Sequence, residues 1–169
     1  MSSMPKIDTT ANALSDESMQ KIDRELAKYP HNQRQSAVMA ALRIAQDEKG
    51  WLDTATMDFL AEYIGMPPIA VYEVATFYNM YHLKPVGKYT ITVCTNLSCT
   101  LVGALDIVHH LERKWEIGVG ETTADGKFTL KEAECMGACG DAPLCLVNNK
   151  KMLSFLTPET LDQILGELE

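Results

Sequence analysis

Through the first half of the chain, apolar residues recur every three or four positions, the spacing of one buried helix face. Ser15 or Asp16 is placed to cap a first helix carrying Met19, Ile22 and Leu26, which stops at Tyr29-Pro30. A second starts near Asn32, carries Val38, Ala41, Leu42 and Ala45, and ends at Gly50. Asp53 caps a third with Met57, Leu60, Ala61 and Ile64 inward and Gly65 as its stop. Pro67-Pro68 opens a fourth through Val71, Val74, Ala75 and Tyr78. Four helices joined by short loops predict a compact bundle over residues 15–84, behind a polar, flexible arm of residues 1–14.

After Lys84-Pro85-Val86-Gly87 the period changes. KYTITVC (88–94) reads as a strand, GALDIVHHLERKW (103–115) as a helix, and FTLKEAE (128–134) as a second strand after an Ala-Asp-Gly turn. PLCLV and KKMLSF form a hairpin pattern around Asn148-Asn149, and Pro158-Glu159 opens a last helix carrying Leu161, Ile164, Leu165 and Leu168. The order β-α-β-β-β-α predicts a small α/β domain of thioredoxin-like size over residues 85–169.

Composition narrows the function. The net charge of −8 argues against a nucleic-acid partner, which calls for a basic face. No apolar run approaches the length of a membrane span, so no direct membrane insertion is expected. The N-terminus lacks the basic start and apolar stretch of a signal peptide, which places the chain in a reducing, cytoplasmic compartment.

There, five cysteines point to metal or redox chemistry rather than disulfides. Cys94 and Cys99 form C-x4-C at the end of the first strand, and Cys135 and Cys139 form C-x3-C in a glycine-containing loop after another. Neither pair has the C-x-x-C spacing of a thioredoxin redox couple. Four thiolates suit one tetrahedral zinc or a [2Fe–2S] cluster, in which each iron takes two of them. The longer cluster tolerates these loops better, so spacing favours it and leaves zinc as the rival. A four-thiolate cluster is anionic, and Gly137 and Gly140 permit unusual dihedrals and close approach of backbone amides. The free amides at the start of the 103–115 helix add a second favourable dipole. Cys145, flanked by leucines, reads as a small buried hydrophobe. Adjacent His109 and His110 cannot both face one iron. With no phosphate-binding loop, no dinucleotide fingerprint beyond a lone Gly-Val-Gly, and no nucleophile-base constellation, the chain reads as an electron carrier without a substrate site.

The run DGKFTLKEAECMGACGDAP (125–143), preceded by CTNLSC (94–99) and EVATFY (73–78), resembles the small [2Fe–2S] subunits of bacterial respiratory complex I, the NADH:quinone oxidoreductase, in the thioredoxin-like ferredoxin family. Met136 stands where that family often has leucine, and Cys145 lies outside its motif. The resemblance implies an N-terminal helical bundle followed by a thioredoxin-like α/β ferredoxin domain. It implies Cys94, Cys99, Cys135 and Cys139 as cluster ligands, with no catalytic residue in this chain. FMN and NADH belong to a partner subunit, with which the chain exchanges single electrons. Other peripheral-arm iron–sulfur subunits are further expected partners, in a cytoplasmic complex peripheral to the inner membrane. Similar subunits serve NAD-linked formate dehydrogenases and hydrogenases, and a zinc-stabilised interaction module is the reading from a different class.

Overall fold

The structure, a computed structural model, describes residues 14–168. The expected arm therefore lies outside the described residues except for Leu14, which is buried in the helical core at 4% exposure. The chain divides between Pro85 and Val86 into two compact units.

In the first unit, helix α1 spans Asp16–Leu26, and the Ser15 side chain accepts from the Ser18 amide as its cap. Glu48 Oε1 in turn accepts from the Ser15 amide at 2.9 Å, tying the start of α1 to the second helix. That helix, α2 (Val38–Lys49), is preceded by a 3₁₀ segment, His31–Ala37, kinked at Gln33. The expected continuous start near Asn32 is thus interrupted: HNQRQS offers no apolar stripe to hold a regular helix against the core. Helix α2 ends at Gly50, whose φ of +82° is the left-handed stop that glycine supplies cheaply. Helices α3 (Thr54–Ile64) and α4 (Pro68–Phe77) follow. Ile22, Leu42, Leu60 and Val71 are fully buried between the four. Tyr78 differs from its expected inward place. It lies just beyond α4 and is exposed, as is Phe77 at 78%. Gln46 anchors the segment that follows, donating to the Met80 carbonyl at 2.9 Å and accepting from the His82 amide at 2.6 Å.

The second unit is a four-stranded sheet in the order β2-β1-β3-β4. Strand β1 (Tyr89–Cys94) pairs in parallel with β2 (Phe128–Ala133), from Tyr89 opposite Phe128 to Cys94 opposite Ala133. Parallel partners need a crossover, and it is made by a five-residue helix α5 (Leu97–Leu101) and by α6 (Ala104–Trp115). Ala104, Ile107, Val108 and Leu111 of α6 are buried in the same core as Ile91 and Val93 of β1. Strands β3 (Cys145–Val147) and β4 (Lys151–Leu153) form the antiparallel hairpin. Asn148 and Asn149 both take positive φ, the geometry of a type I′ turn, and Lys150 follows as one residue more than the expected two-residue loop. Helix α7 (Pro158–Gly166) is capped by Thr157 and carries Leu161 and Leu165 inward; Leu168 lies beyond its end. His110 and Lys114 of α6 both reach Asp162 of α7, at 2.9 and 2.7 Å. The outer edge of β2 is covered by residues 120–123, through Gly120 N to Leu130 O at 2.7 Å and Leu130 N to Glu121 O at 3.1 Å. No helix among the described residues is long and apolar enough to cross a membrane.

Candidate metal centre

The register of the parallel pair places the cysteines. Because Cys94 lies opposite Ala133 at the carboxyl ends of β1 and β2, the segments leaving both strands emerge side by side. The first runs into α5, which carries Cys99. The second runs through Cys135 to a 3₁₀ turn that begins at Cys139. Cys99 therefore sits inside a short helix of its own, and not at the mouth of the 104–115 helix as the sequence pattern suggested. Sequence periodicity cannot resolve a five-residue helix, which is barely more than one turn.

The thiols stand as two pairs of contrasting exposure. Cys135 Sγ and Cys139 Sγ are 3.4 Å apart and exposed. Cys94 and Cys99 are each 1% exposed, and the Cys94 thiol lies close enough to Cys99 to affect its titration. The pairs also sense each other: the Ser98 hydroxyl lies close enough to Cys139 to pull its thiol down, and Cys139 is within electrostatic reach of Cys94 and Cys99. No disulfide joins any of the five cysteines.

Burial, together with the neighbouring Cys94 thiol, pushes the Cys99 thiol up to about 11. Cys135 moves the other way, because the Gly137 amide donates to its sulfur at 3.4 Å and Cys139 adds a hydrogen bond. The shared hydrogen bond with Cys135 raises Cys139. Gly137 has φ +78°, so its amide reaches Cys135 from a backbone conformation that side-chain-bearing residues rarely adopt. Gly140 does not meet the expectation of an unusual dihedral, since its φ lies outside the left-handed region. A Cβ at either glycine would meet nothing within 4 Å, so open space stands beside the exposed thiols. Cys145 is fully buried in β3, and burial pushes its thiol up to about 12, as its leucine neighbours suggested. His109 is exposed and His110 is engaged with Asp162; neither belongs to the cysteine cluster.

This donor set fits an iron–sulfur cluster better than a single ion. Among the described residues, no three His, Cys, Asp or Glu side chains converge on one ion-sized point. Two facing thiol pairs are the arrangement that two irons require, whereas zinc needs four ligands around one centre. An amide aimed at sulfur, with a hydroxyl near Cys139, is the kind of surrounding that stabilises an anionic thiolate centre. Ser98 had no signal in the sequence, because its role depends on the crossing of two loops that lie 41 residues apart, from Ser98 to Cys139.

A thioredoxin-like sheet with two thiol pairs at the ends of its parallel strands is the architecture of a small iron–sulfur electron carrier. The model of the thioredoxin-like [2Fe–2S] ferredoxin family matches residues 22–169, and the chain belongs to that family. It is 42% identical over 145 residues to an NADH-quinone oxidoreductase subunit of Rickettsia conorii, spanning 85% of this chain and 86% of that one. It is 37% identical over 153 residues to an NADH-quinone oxidoreductase subunit of Thermus thermophilus, with 90% and 84% covered. Among solved structures, an NAD⁺-reducing [NiFe]-hydrogenase in the air-oxidised state superposes with a TM-score of 0.67 at 24% identity. That match covers 77% of this chain and 22% of the hydrogenase chain, and at this identity it is a likeness of fold.

Proposed function

We propose that this chain is the electron-transfer subunit of the NADH dehydrogenase module of a complex I-type NADH:quinone oxidoreductase. Cys94, Cys99, Cys135 and Cys139 hold one [2Fe–2S] cluster, and the chain has no substrate site of its own. The observation that carries this reading is the meeting of two thiol pairs at the ends of β1 and β2, in a family of [2Fe–2S] ferredoxins. Relatives that match over most of their length are named as subunits of NADH-quinone oxidoreductase, which supports membership in a multi-subunit complex. The partner subunit is the one that binds FMN and NADH and performs hydride chemistry. The resemblance to hydrogenase is confined to fold and favours no second reading.

The bound cluster supplies one-electron redox chemistry. Everything else falls to the chain. Cys94 and Cys99 close the inner side of the site, being buried at the end of the central strand. Cys135 and Cys139 face outward, so the exposed pair marks the side from which a redox partner approaches. The Gly137 amide directs its positive dipole end at Cys135, and the Ser98 hydroxyl stands near Cys139, offsetting negative charge that would otherwise stand beside Glu134.

The full-length chain, expressed under anaerobic conditions, should be brown and carry about two iron and two acid-labile sulfide per chain, the content of a single [2Fe–2S] centre. Its EPR signal should appear only on reduction. A colourless protein with one zinc would sink the reading. Co-purification from the native source should bring down a flavoprotein that oxidises NADH. Recovery with a formate dehydrogenase or hydrogenase instead would reassign the parent enzyme and leave the cluster assignment standing.

A further inference from the structure

Where β1 and β2 end, the backbone ladder stops. Its last bond is from the Thr95 amide to the Ala133 carbonyl, at 3.0 Å. Beyond it one chain turns into α5 with Cys99, and the other enters the loop with Cys135 and Cys139. A single side-chain pair carries the connection further. Asn96 Nδ2 donates to Glu134 Oε2 at 2.9 Å, joining the residue two after Cys94 to the residue just before Cys135. Asn96 occupies the N-cap position of α5, with the extended backbone (φ −66°, ψ 160°) that suits a cap, yet its side chain makes no capping bond. An asparagine so placed ordinarily accepts from the first-turn amides, for about 1 kcal/mol of helix stability. Here the side chain reaches across to the other cysteine loop instead.

The pair is solvent-exposed, so as a stabilising contact it is minor. Its position gives it another role. Resting on the reading of the four thiols as cluster ligands, we infer that the Asn96–Glu134 pair clamps the two cysteine loops at the spacing the cluster needs, and that the Glu134 carboxylate holds the cluster's reduction potential down. Ligands keep their geometry only when neighbouring groups hold them in place, and no backbone bond between the strands does so beyond Thr95. A fixed negative charge beside Cys135 opposes the arrival of an electron by direct Coulomb repulsion. Glu134 is thus a positioning residue that acts through Cys135.

The test uses the full-length, cluster-loaded chain, with EPR-monitored redox titration and the rate of bleaching by a chelator as readouts. Glu134→Gln keeps an acceptor for Asn96 and removes the charge. It should bleach at the wild-type rate, while its midpoint rises by up to about 59 mV, the one-electron equivalent of a tenfold shift. Asn96→Ala and Glu134→Ala remove the bond, and both should bleach severalfold faster. Asn96→Asp sets two carboxylates against each other and should bleach faster still; adding Glu134→Gln restores a donor opposite the acceptor and should rescue retention. An unchanged midpoint in Glu134→Gln, or wild-type bleaching in both alanine variants, overturns the inference. A wild-type chain without a reduced-state EPR signal brings down the [2Fe–2S] reading as well, which separates that failure from failure of the clamp.

Discussion

Cys135 and Cys145 share a side chain and differ in surroundings, and their thiols shift in opposite directions. Cys135 is exposed, and the Gly137 amide draws its thiol below the ordinary cysteine range. Cys145 is fully buried in the sheet and stays protonated at any physiological pH. Cys135 belongs to the C-x3-C pair proposed to hold the cluster, whereas Cys145 belongs to neither pair. Cys135→Ser should therefore abolish or severely alter the visible and EPR spectra of the cluster. Cys145→Ser should keep the wild-type spectrum and lose only packing stability, read by thermal melting; cluster loss in the Cys145 variant alone would overturn the ligand assignment. Gly137→Ala should cost about 1–2 kcal/mol of local strain, the usual penalty for a side chain in the left-handed region. Because the same residue carries the amide aimed at Cys135, faster chelator bleaching is the measurement to make.

At the scale of elements, the helix boundaries were legible where a cap or a stop is chemically explicit. Asp53 accepts from the Thr56 amide at 2.7 Å and starts α3 where the sequence places it. The nearby Thr56 hydroxyl, together with this bond, holds the Asp53 carboxyl below its ordinary value against the opposing pull of burial. A carboxyl lowered on folding contributes stability that is present above its unfolded pKa, about 3.9, and is lost as pH falls through the folded value. Asp53→Ala should cost about 1 kcal/mol at neutral pH, with the difference from wild type closing in denaturant melts below about pH 4. The 3₁₀ start before α2 and the brevity of α5 were not legible, because each runs for only one or two turns, too short for periodicity to resolve. Gly87 shows another limit. In the sequence it only marks a break, but a Cβ there would lie 2.9 Å from the carbonyl carbons of Lys127 and Phe128. Its amide also donates to Thr129 Oγ1 at 2.7 Å. Gly87→Ala must push back a backbone that cannot yield, and should destabilise by about 1–3 kcal/mol, the usual cost of overpacking.

For the whole molecule, a cluster held by the four cysteines would be energetically linked to the fold of residues 86–168. A group that binds only the folded state stabilises it by mass action. The cluster would tie together the ends of β1 and β2, so its removal takes away links that the backbone ladder does not provide. Chelation under reducing conditions should lower the melting temperature of the chain, and anaerobic restoration of iron and sulfide should return it. Equal melting temperatures with and without the cluster would contradict this coupling.

By itself the sequence determined the inventory: four helices ahead of a strand-helix-strand-hairpin-helix order, two cysteine pairs at strand ends, and a fifth cysteine among leucines. These follow from local chemistry, namely periodicity, caps, turn residues and thiol spacing, which act over a few positions. The pairing that matters is not local. Only the parallel register of β1 with β2 brings residues 94–99 beside residues 135–139, and only that meeting sets Ser98 near Cys139 and joins Asn96 to Glu134. Tertiary structure also sorted the pairs into a buried one and an exposed one. Burial is a property of the assembled core, and no spacing of residues along the chain encodes it directly.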